Sequence, residues 1–323
     1  MSTTTPPAVQ TAGASRMPPV DVTDRKYNKK RRQPLPYLLL LPTVVILLVM
    51  LGYPVVTMII NSFYKYDRGA YIGFTEPEFV GFGNYTNVLT DSSFWLMLFR
   101  SFLFMIVAVL LTMALGVLMS LLMMRLNKGI RLLVSVGLLL AWAMPALAAT
   151  QVWAWLFDTT YGVVNWVMTR LTGSNWFGHS WLASPLSFFT ILGIIIVWQG
   201  VPFIAFSLYA GLTQIPTEVL EASQMDGASP VKRFFLIMFP YVRSIFTVMV
   251  VLSIIWDLRV FAQVQALQMV GGTADQTSTF GVWIYRTGTG GDFGLSAAAA
   301  VIMVFVMLVI SFYYVRQTLK EGN

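Results

Sequence analysis

The chain has 323 residues, of which 57% are hydrophobic and 11% charged, against roughly 25% charged in a soluble globular domain, so a soluble domain is excluded. About 184 residues are apolar, where six membrane spans of ~20 residues would use ~120. With no cysteine and a single histidine, His179, a disulfide framework, a thiol nucleophile and a Cys/His metal cluster are excluded as well, and the net charge of +7 has to be read by location.

Residues 1–35 hold Arg16, Arg25, Lys26, Lys29, Lys30, Arg31 and Arg32 in a stretch rich in Thr, Pro and Ala. They read as a disordered basic tail on the cytoplasmic side, with anionic lipid as an added contact and nucleic acid not expected as a partner. The first apolar run, Tyr37–Tyr64, is too long for a signal peptide. Charge-poor runs follow at Ser101–Met124, Leu132–Phe157, Trp181–Thr217 and Phe293–Val315, and another, about Tyr241–Val264, is interrupted by Asp257 and Arg259. The expectation is an all-α membrane protein: a six-transmembrane-helix bundle over residues 36–316, with residues 317–323 as a cytoplasmic C-terminus. With the tail inside, cytoplasmic segments carry fifteen Lys and Arg and outer segments five (Lys65, Arg68, Arg100, Arg170, Arg286), so both termini are expected inside. Pro54, Pro145 and Pro202 fall within spans; each removes a backbone donor and tends to kink its helix, which favours a transporter-like or channel-like bundle.

The loop over 213–240, between spans four and five, has more local structure than its neighbours. Thr217 reads as an N-cap with Glu218 at the favourable end of the dipole, a short helix runs to about Asp226, and Gly227 supplies the left-handed turn. Ser229 and Pro230 then read as a second N-cap and first helical position. Lys232 and Arg233 precede Phe234, Phe235, Ile237 and Met238, and Pro240 marks the entry to span five. Such an amphipathic hairpin rests on lipid headgroups or docks in a groove of a soluble partner.

Glu221-Ala222-Ser223, Asp226-Gly227-Ala228, Ile237 and Pro240 resemble the "EAA" loop of permease subunits in bacterial ATP-binding-cassette importers, with Ser223 in place of an alanine and Phe239 in place of a leucine. Along the chain after residue 35, Gly81, Asn84-Tyr85, Asp91, Phe94-Trp95, the run Trp153 to Asp158, Tyr161-Gly162, Asn165, Gly271-Gly272, Thr279, Tyr285 and the run Gly294 to Ala300 resemble the maltose and glycerol-phosphate branch of that family. Arg100-Ser101 stand where the family often has Asn-Thr. The resemblance implies a carbohydrate permease of the bacterial inner membrane, paired with a second related permease, two ATP-binding subunits and an extracytoplasmic solute-binding protein. It also implies that the loop helix docks on the ATPase, with Glu221 at that surface, Ala222 and Ser223 allowing close packing, and Gly227 setting the turn. Asp226, Ala228 and Pro240 complete the matched motif. Gly288-Thr289-Gly290-Gly291 lacks the Lys-Ser/Thr of a phosphate-binding loop, so no cofactor is expected in this chain and ATP and Mg are assigned to the partner ATPase.

For the solute path, an unbroken span five would place Trp256, Arg259, Val260 and Gln263 on one stripe, an aromatic ring, a guanidinium and an amide suited to a hydroxyl-rich solute. Asp257, 16 residues or ~24 Å from Tyr241, would lie in the outer part of the span. Trp198, Gln199 and Phe203 flank the Pro202 break as further candidates. Asp158 reads as an interfacial residue and His179 as a solvated outer-loop histidine. The alternative reading is an ion-coupled transporter of a small polar solute, which would call for internal repeats and mid-membrane carboxylates that are not evident. A membrane-embedded enzyme lacks any recognisable acid pair, nucleophile–base pair or metal cluster.

Overall fold

The computed structural model describes residues 35–321; the tail expected over 1–35 lies, but for Leu35, outside them. The chain divides at Tyr53–Pro54 into two units. In the first, α1 (Leu35–Leu47) carries Pro42 and passes into a π-wound stretch, Leu48–Gly52, just ahead of Pro54 in the sequence.

The second unit opens, from Pro54, with the rest of α2 (Tyr53–Asn61) and a small subdomain. Here β1 (Tyr64–Lys65) pairs antiparallel with β2 (Glu78–Phe79), flanking α3 (Arg68–Tyr71), and α4 (Gly83–Thr90) follows. Buried Asn84 on α4 donates to the carbonyls of Ser62 and Tyr64, which fastens the subdomain to the end of α2. The long helices are α5 (Ser92–Arg125), α6 (Lys128–Ala143) with α7 (Ala146–Leu156), α9 (Pro185–Leu212), α12 (Phe239–Leu258) and α16 (Phe293–Glu321). Shorter helices join them: α8 (Val163–Thr172), α10 (Thr217–Met225), α11 (Pro230–Arg233), α13 (Ala262–Val270), α14 (Ala274–Thr277) and α15 (Phe280–Thr289).

Five helical stretches are long and apolar enough to cross a membrane, Leu38–Asn61, Ser92–Arg125, Pro185–Leu212, Pro230–Leu258 and Phe293–Phe312. The bent pair α6 and α7 makes a sixth when counted as one span. Among these α9 is the most enclosed, with Phe188, Leu192, Ile195, Ile204 and Leu208 almost fully buried. It packs along α5, where Thr112 meets Gly200, and at one end it touches α12 through Gly211 against Val242 and Ile245.

Three expectations are corrected. No break forms at Pro202, which lies inside the continuous helix α9, whereas at Pro145 the expected kink divides the third run, Leu132–Phe157: α6 stops at Ala143 and α7 restarts at Ala146, bent by 102°. Pro145 has no N–H for the turn before it and forces Met144 into extended backbone (ψ 128°). Span five does not begin at Pro240: α11, a π-wound stretch Phe234–Met238 and α12 form one helical run, Pro230–Leu258. The wider π turn takes up the missing donor and the ring of Pro240, which would collide with the carbonyl four residues back in a regular helix. Span five also ends early, at Leu258 rather than near Val264.

Candidate functional site

Two places gather the candidate residues, the 213–240 loop and the meeting of α6, α9 and α12. In the loop, α10 starts at Thr217, with Pro216 at the N-cap position and no side-chain cap, so Thr217 is the first helical residue and not the cap. The C-terminal end closes as a Schellman turn: Ala228 N–H donates to the Ser223 carbonyl and Gly227 N–H to that of Gln224, both at 3.0 Å. Gly227 stands at φ +74°, where a Cβ is strained. Ser229 then caps the next helical run, its hydroxyl accepting from Lys232 N–H, with Pro230 at the first position. Glu221, Ala222 and Asp226 are exposed, with Met225 89% exposed beside them. Ser223 faces the other way: it is buried and donates to the Leu220 carbonyl, so its close packing is with its own chain. Beneath α10, Val219 and Leu220 pack on a core that contains Leu212 and Ile215 at the foot of α9 and Met238 and Val242 at the start of span five. Pro240 lies just past the π turn, at the second position of α12.

At the second place, Phe203 of α9 meets Trp256 of α12 at 5.2 Å between ring centroids, and Trp142 of α6 stacks on Phe203 at 6.2 Å with planes 15° apart. Gln199, one turn from Phe203, donates from Nε2 to the Met144 carbonyl at the α6/α7 break, 3.3 Å away. Trp198 points elsewhere, edge-on to Trp153 at 5.9 Å.

The stripe expected from Trp256 through Arg259 to Gln263 is not formed. Arg259 N–H and Val260 N–H close a turn on the carbonyls of Trp256 and Asp257, and the Thr279 hydroxyl holds the Val260 carbonyl. Gln263 therefore belongs to a separate helix, α13, and exposed Arg259 lies outside the span. Asp257 is half-buried, and its Oδ2 is enclosed with no hydrogen-bond partner. Trp142, Ser207 and Phe206 line a concavity of ≈ 390 Å³ with Leu139 and Phe203. The larger groove, ≈ 1280 Å³ between α5, α6 and α9, is mostly apolar, walled by residues such as Leu103, Val107, Leu111 and Ile194, with Arg100, Thr190, Trp198 and Gln276 as its polar groups. Sequence reading passed over Trp142, whose signal was a tryptophan well inside an apolar run, away from the span ends where such rings usually sit.

Arg100 and Ser101, the departures from the usual pattern, have structural work. Arg100 donates to the Asp275 carbonyl, and Ser101 accepts from buried Phe280 N–H at 2.7 Å while donating to the Met97 carbonyl. In the 158–181 loop, buried Asn165 donates to the carbonyls of Asp158, Thr159 and His179 and accepts from the Trp181 indole. His179 is exposed and packs edge-on against Trp176 and Trp181. Among the described residues no cluster of His, Asp and Glu suited to a metal ion is found.

Residues 113–317 match the family described as binding-protein-dependent transport system inner membrane component. The chain belongs to this family. It is 39% identical over 288 residues to the diacetylchitobiose uptake system permease protein DasB of Streptomyces coelicolor, covering 88% of this chain and 87% of that one. It is 30% identical over 288 residues to the trehalose/maltose transport system permease protein MalF of Thermococcus litoralis, with 89% and 95% covered. In fold it is similar to a chain of a bacterial ABC transporter involved in the import of the acidic polysaccharide alginate, with a TM-score of 0.76 at 20% identity over 90% of this chain and 96% of that one. The protein is thus a multi-pass inner-membrane permease, the transmembrane subunit of an ATP-driven importer whose hydrolysis is carried out by separate ATPase subunits. That membership overturns the ion-coupled alternative.

Proposed function

We propose that this permease forms half of the translocation path for a di- or oligosaccharide. Its partners are a second related permease, two ATP-binding subunits that hold ATP and Mg, and an extracytoplasmic solute-binding protein. Both termini and α10 are on the cytoplasmic side. The carbohydrate class is supported by relatives named for diacetylchitobiose and for trehalose and maltose, and by the aromatic faces of Phe203 and Trp256, since pyranose rings present apolar faces to stack and hydroxyls to bond.

The observation that carries the coupling role is the seating of α10. It is a short helix closed by a rigid turn, exposed on the side of Glu221, Ala222, Asp226 and Met225, and packed by Val219, Leu220 and Ser223 on the feet of α9 and span five. When the ATPase dimer closes against the exposed side, the displacement passes through that packing to both helices. α9 carries Phe203 nine residues, or ~14 Å, above Leu212, and span five carries Trp256 and Asp257. ATP hydrolysis is thereby converted into a relative shift of the groups facing the solute. In this reading Arg259 and Gln263 line the outer approach, and Trp198 and Gln199 hold the α9 wall.

The test is recovery of partners on a tagged chain from the native host in mild detergent, comparing wild type with Gly227→Val and Glu221→Arg. Wild type is expected to bring down a second permease and an ATPase, and both variants to keep the permease while losing most of the ATPase. Recovery of a stable wild-type chain without an ATPase would overturn the reading.

A further inference from the structure

We propose that Arg131, the fourth residue of α6, is a positioning residue for coupling: it staples the end of α5 and the start of α6 to the foot of α9, so that these three helix ends move as one body when α10 is displaced. This rests on the coupling reading above and extends it to α5 and α6, which that reading does not use.

Three helices meet at this side chain. Its Nε donates to the Met123 carbonyl at 2.9 Å and its Nη2 to the Leu126 carbonyl at 2.6 Å, at the C-terminal end of α5, where the last carbonyls have no partner within their own helix. Its guanidinium carbon also lies 5.7 Å from the centroid of the Tyr209 ring on α9, a cation–π contact. Tyr209 is one turn from Leu212, a member of the core on which Val219 and Leu220 of α10 pack. Further along, Gln199 of α9 holds the Met144 carbonyl at the end of α6. The two helices are thus tied at both ends of a shared stretch of roughly 15–20 Å, and a displacement delivered to the foot of α9 carries α6 with it.

The competing explanation is an ordinary surface cation that reaches for lipid headgroups. Two observations stand against it. Of the cations in this turn, Arg125 and Lys128 are exposed, whereas Arg131 is half-buried with its fork turned back on α5. A cation in the opening turn of a helix also opposes that helix's own dipole, while it favours the C-terminal end of the helix before it, so Arg131 is placed for its neighbours and not for α6. The task needs arginine: a planar fork meets two carbonyls and an aromatic face at once, which the point charge of a lysine cannot do.

Because the chain has no cysteine, nitroxides can be placed at two chosen positions of this subunit, in an assembled complex whose other subunits are made cysteine-free. With Leu140→Cys on α6 and Ala210→Cys on α9, both exposed, pulsed EPR reads the separation of the two helices with and without trapping by ATP and vanadate. The separation is expected to stay constant on trapping when Arg131 is present, and to shift by several ångströms when Arg131→Gln is added. In parallel, ATP hydrolysis is measured with and without the host's own binding protein, purified with its solute. Arg131→Gln and Tyr209→Leu are expected to keep the unstimulated rate within twofold and to lose at least fivefold of the stimulation, whereas Tyr209→Phe, which keeps the ring, matches wild type. If Arg131→Gln fails to assemble, Tyr209→Leu carries both readings. Two results overturn the proposal and leave the importer standing: a separation that changes on trapping with Arg131 in place, or variants whose separation is constant and whose stimulation is within twofold of wild type. A wild-type complex purified without an ATPase would sink the coupling reading itself, and the proposal with it.

Discussion

Thr112 lies buried between α5 and α9 with its hydroxyl oxygen enclosed and unpartnered. A buried polar group without a partner costs about 1–3 kcal/mol, and valine fills the same outline without that penalty. Thr112→Val is therefore expected to raise Tm by ~2–4 °C in detergent, as read by differential scanning fluorimetry of the purified complex; a fall would mean that the hydroxyl has a partner in the assembly. Asp158 behaves in the opposite way. Its exposed carboxylate accepts from the N–H groups of Tyr161 and Thr160 at 2.8 Å, and these bonds hold its pKa below the ordinary 3.8. Its contribution to the loop is thus complete above the ordinary value and is lost as pH falls through the lowered one. Tryptophan emission of wild type and Asp158→Asn is expected to coincide at neutral pH and to diverge only below pH ~4.

At the scale of elements, what the sequence made legible and what it hid divide along one line. Chemistry set by neighbours in the chain was readable: the left-handed Gly227, the Ser229 cap and first-turn Pro230, and the disturbance at Pro145 all follow from local backbone rules. The size of the α6/α7 bend was not, because it depends on how the freed Met144 carbonyl is met by Gln199 from another helix. The early end of span five was hidden for the same reason, since it is pinned by Thr279 from 19 residues away. The Trp256–Phe203 pairing could be suspected from residue type, whereas Trp142 joins them only through tertiary packing. The contact of α9 with span five gives an element-level prediction. A Cβ at Gly211 would lie 2.6 Å from Ile245 Cδ1 and 3.1 Å from Val242 Cγ1, so Gly211→Val must push the two feet apart. The variant complex is expected to assemble and hydrolyse ATP, yet to lose stimulation by solute-loaded binding protein and at least tenfold in uptake. Normal stimulation would show that the two helices need not move as a pair.

For the whole molecule, burial is uneven. In the most apolar windows, 56% of residues are buried in Pro185–Leu212, against 17% in Pro230–Leu258 and 22% in Phe293–Phe312. Helices that bare face lipid or, in the function proposed above, a surface completed by a second permease. Expressed without such a partner, the chain is expected to reach a several-fold lower steady-state level by immunoblot. Equal levels with and without the partner would argue that the chain is self-sufficient.

The helical run from Pro230 to Leu258 has no loop in it, so the 213–229 hairpin and the residues proposed for the solute path, Trp256 and Asp257, are in fixed phase. One residue inserted between Ser229 and Trp256 would rotate Trp256 and Asp257 by ~100° and carry them ~1.5 Å further along the axis, turning both away from α9. An insertion among Ser174, Asn175 and Trp176, in a loop that ends before α9 begins, leaves that phase untouched. A functional chain is accordingly expected to tolerate added length in that loop and not between hairpin and Trp256, which uptake by insertion variants at the two places checks.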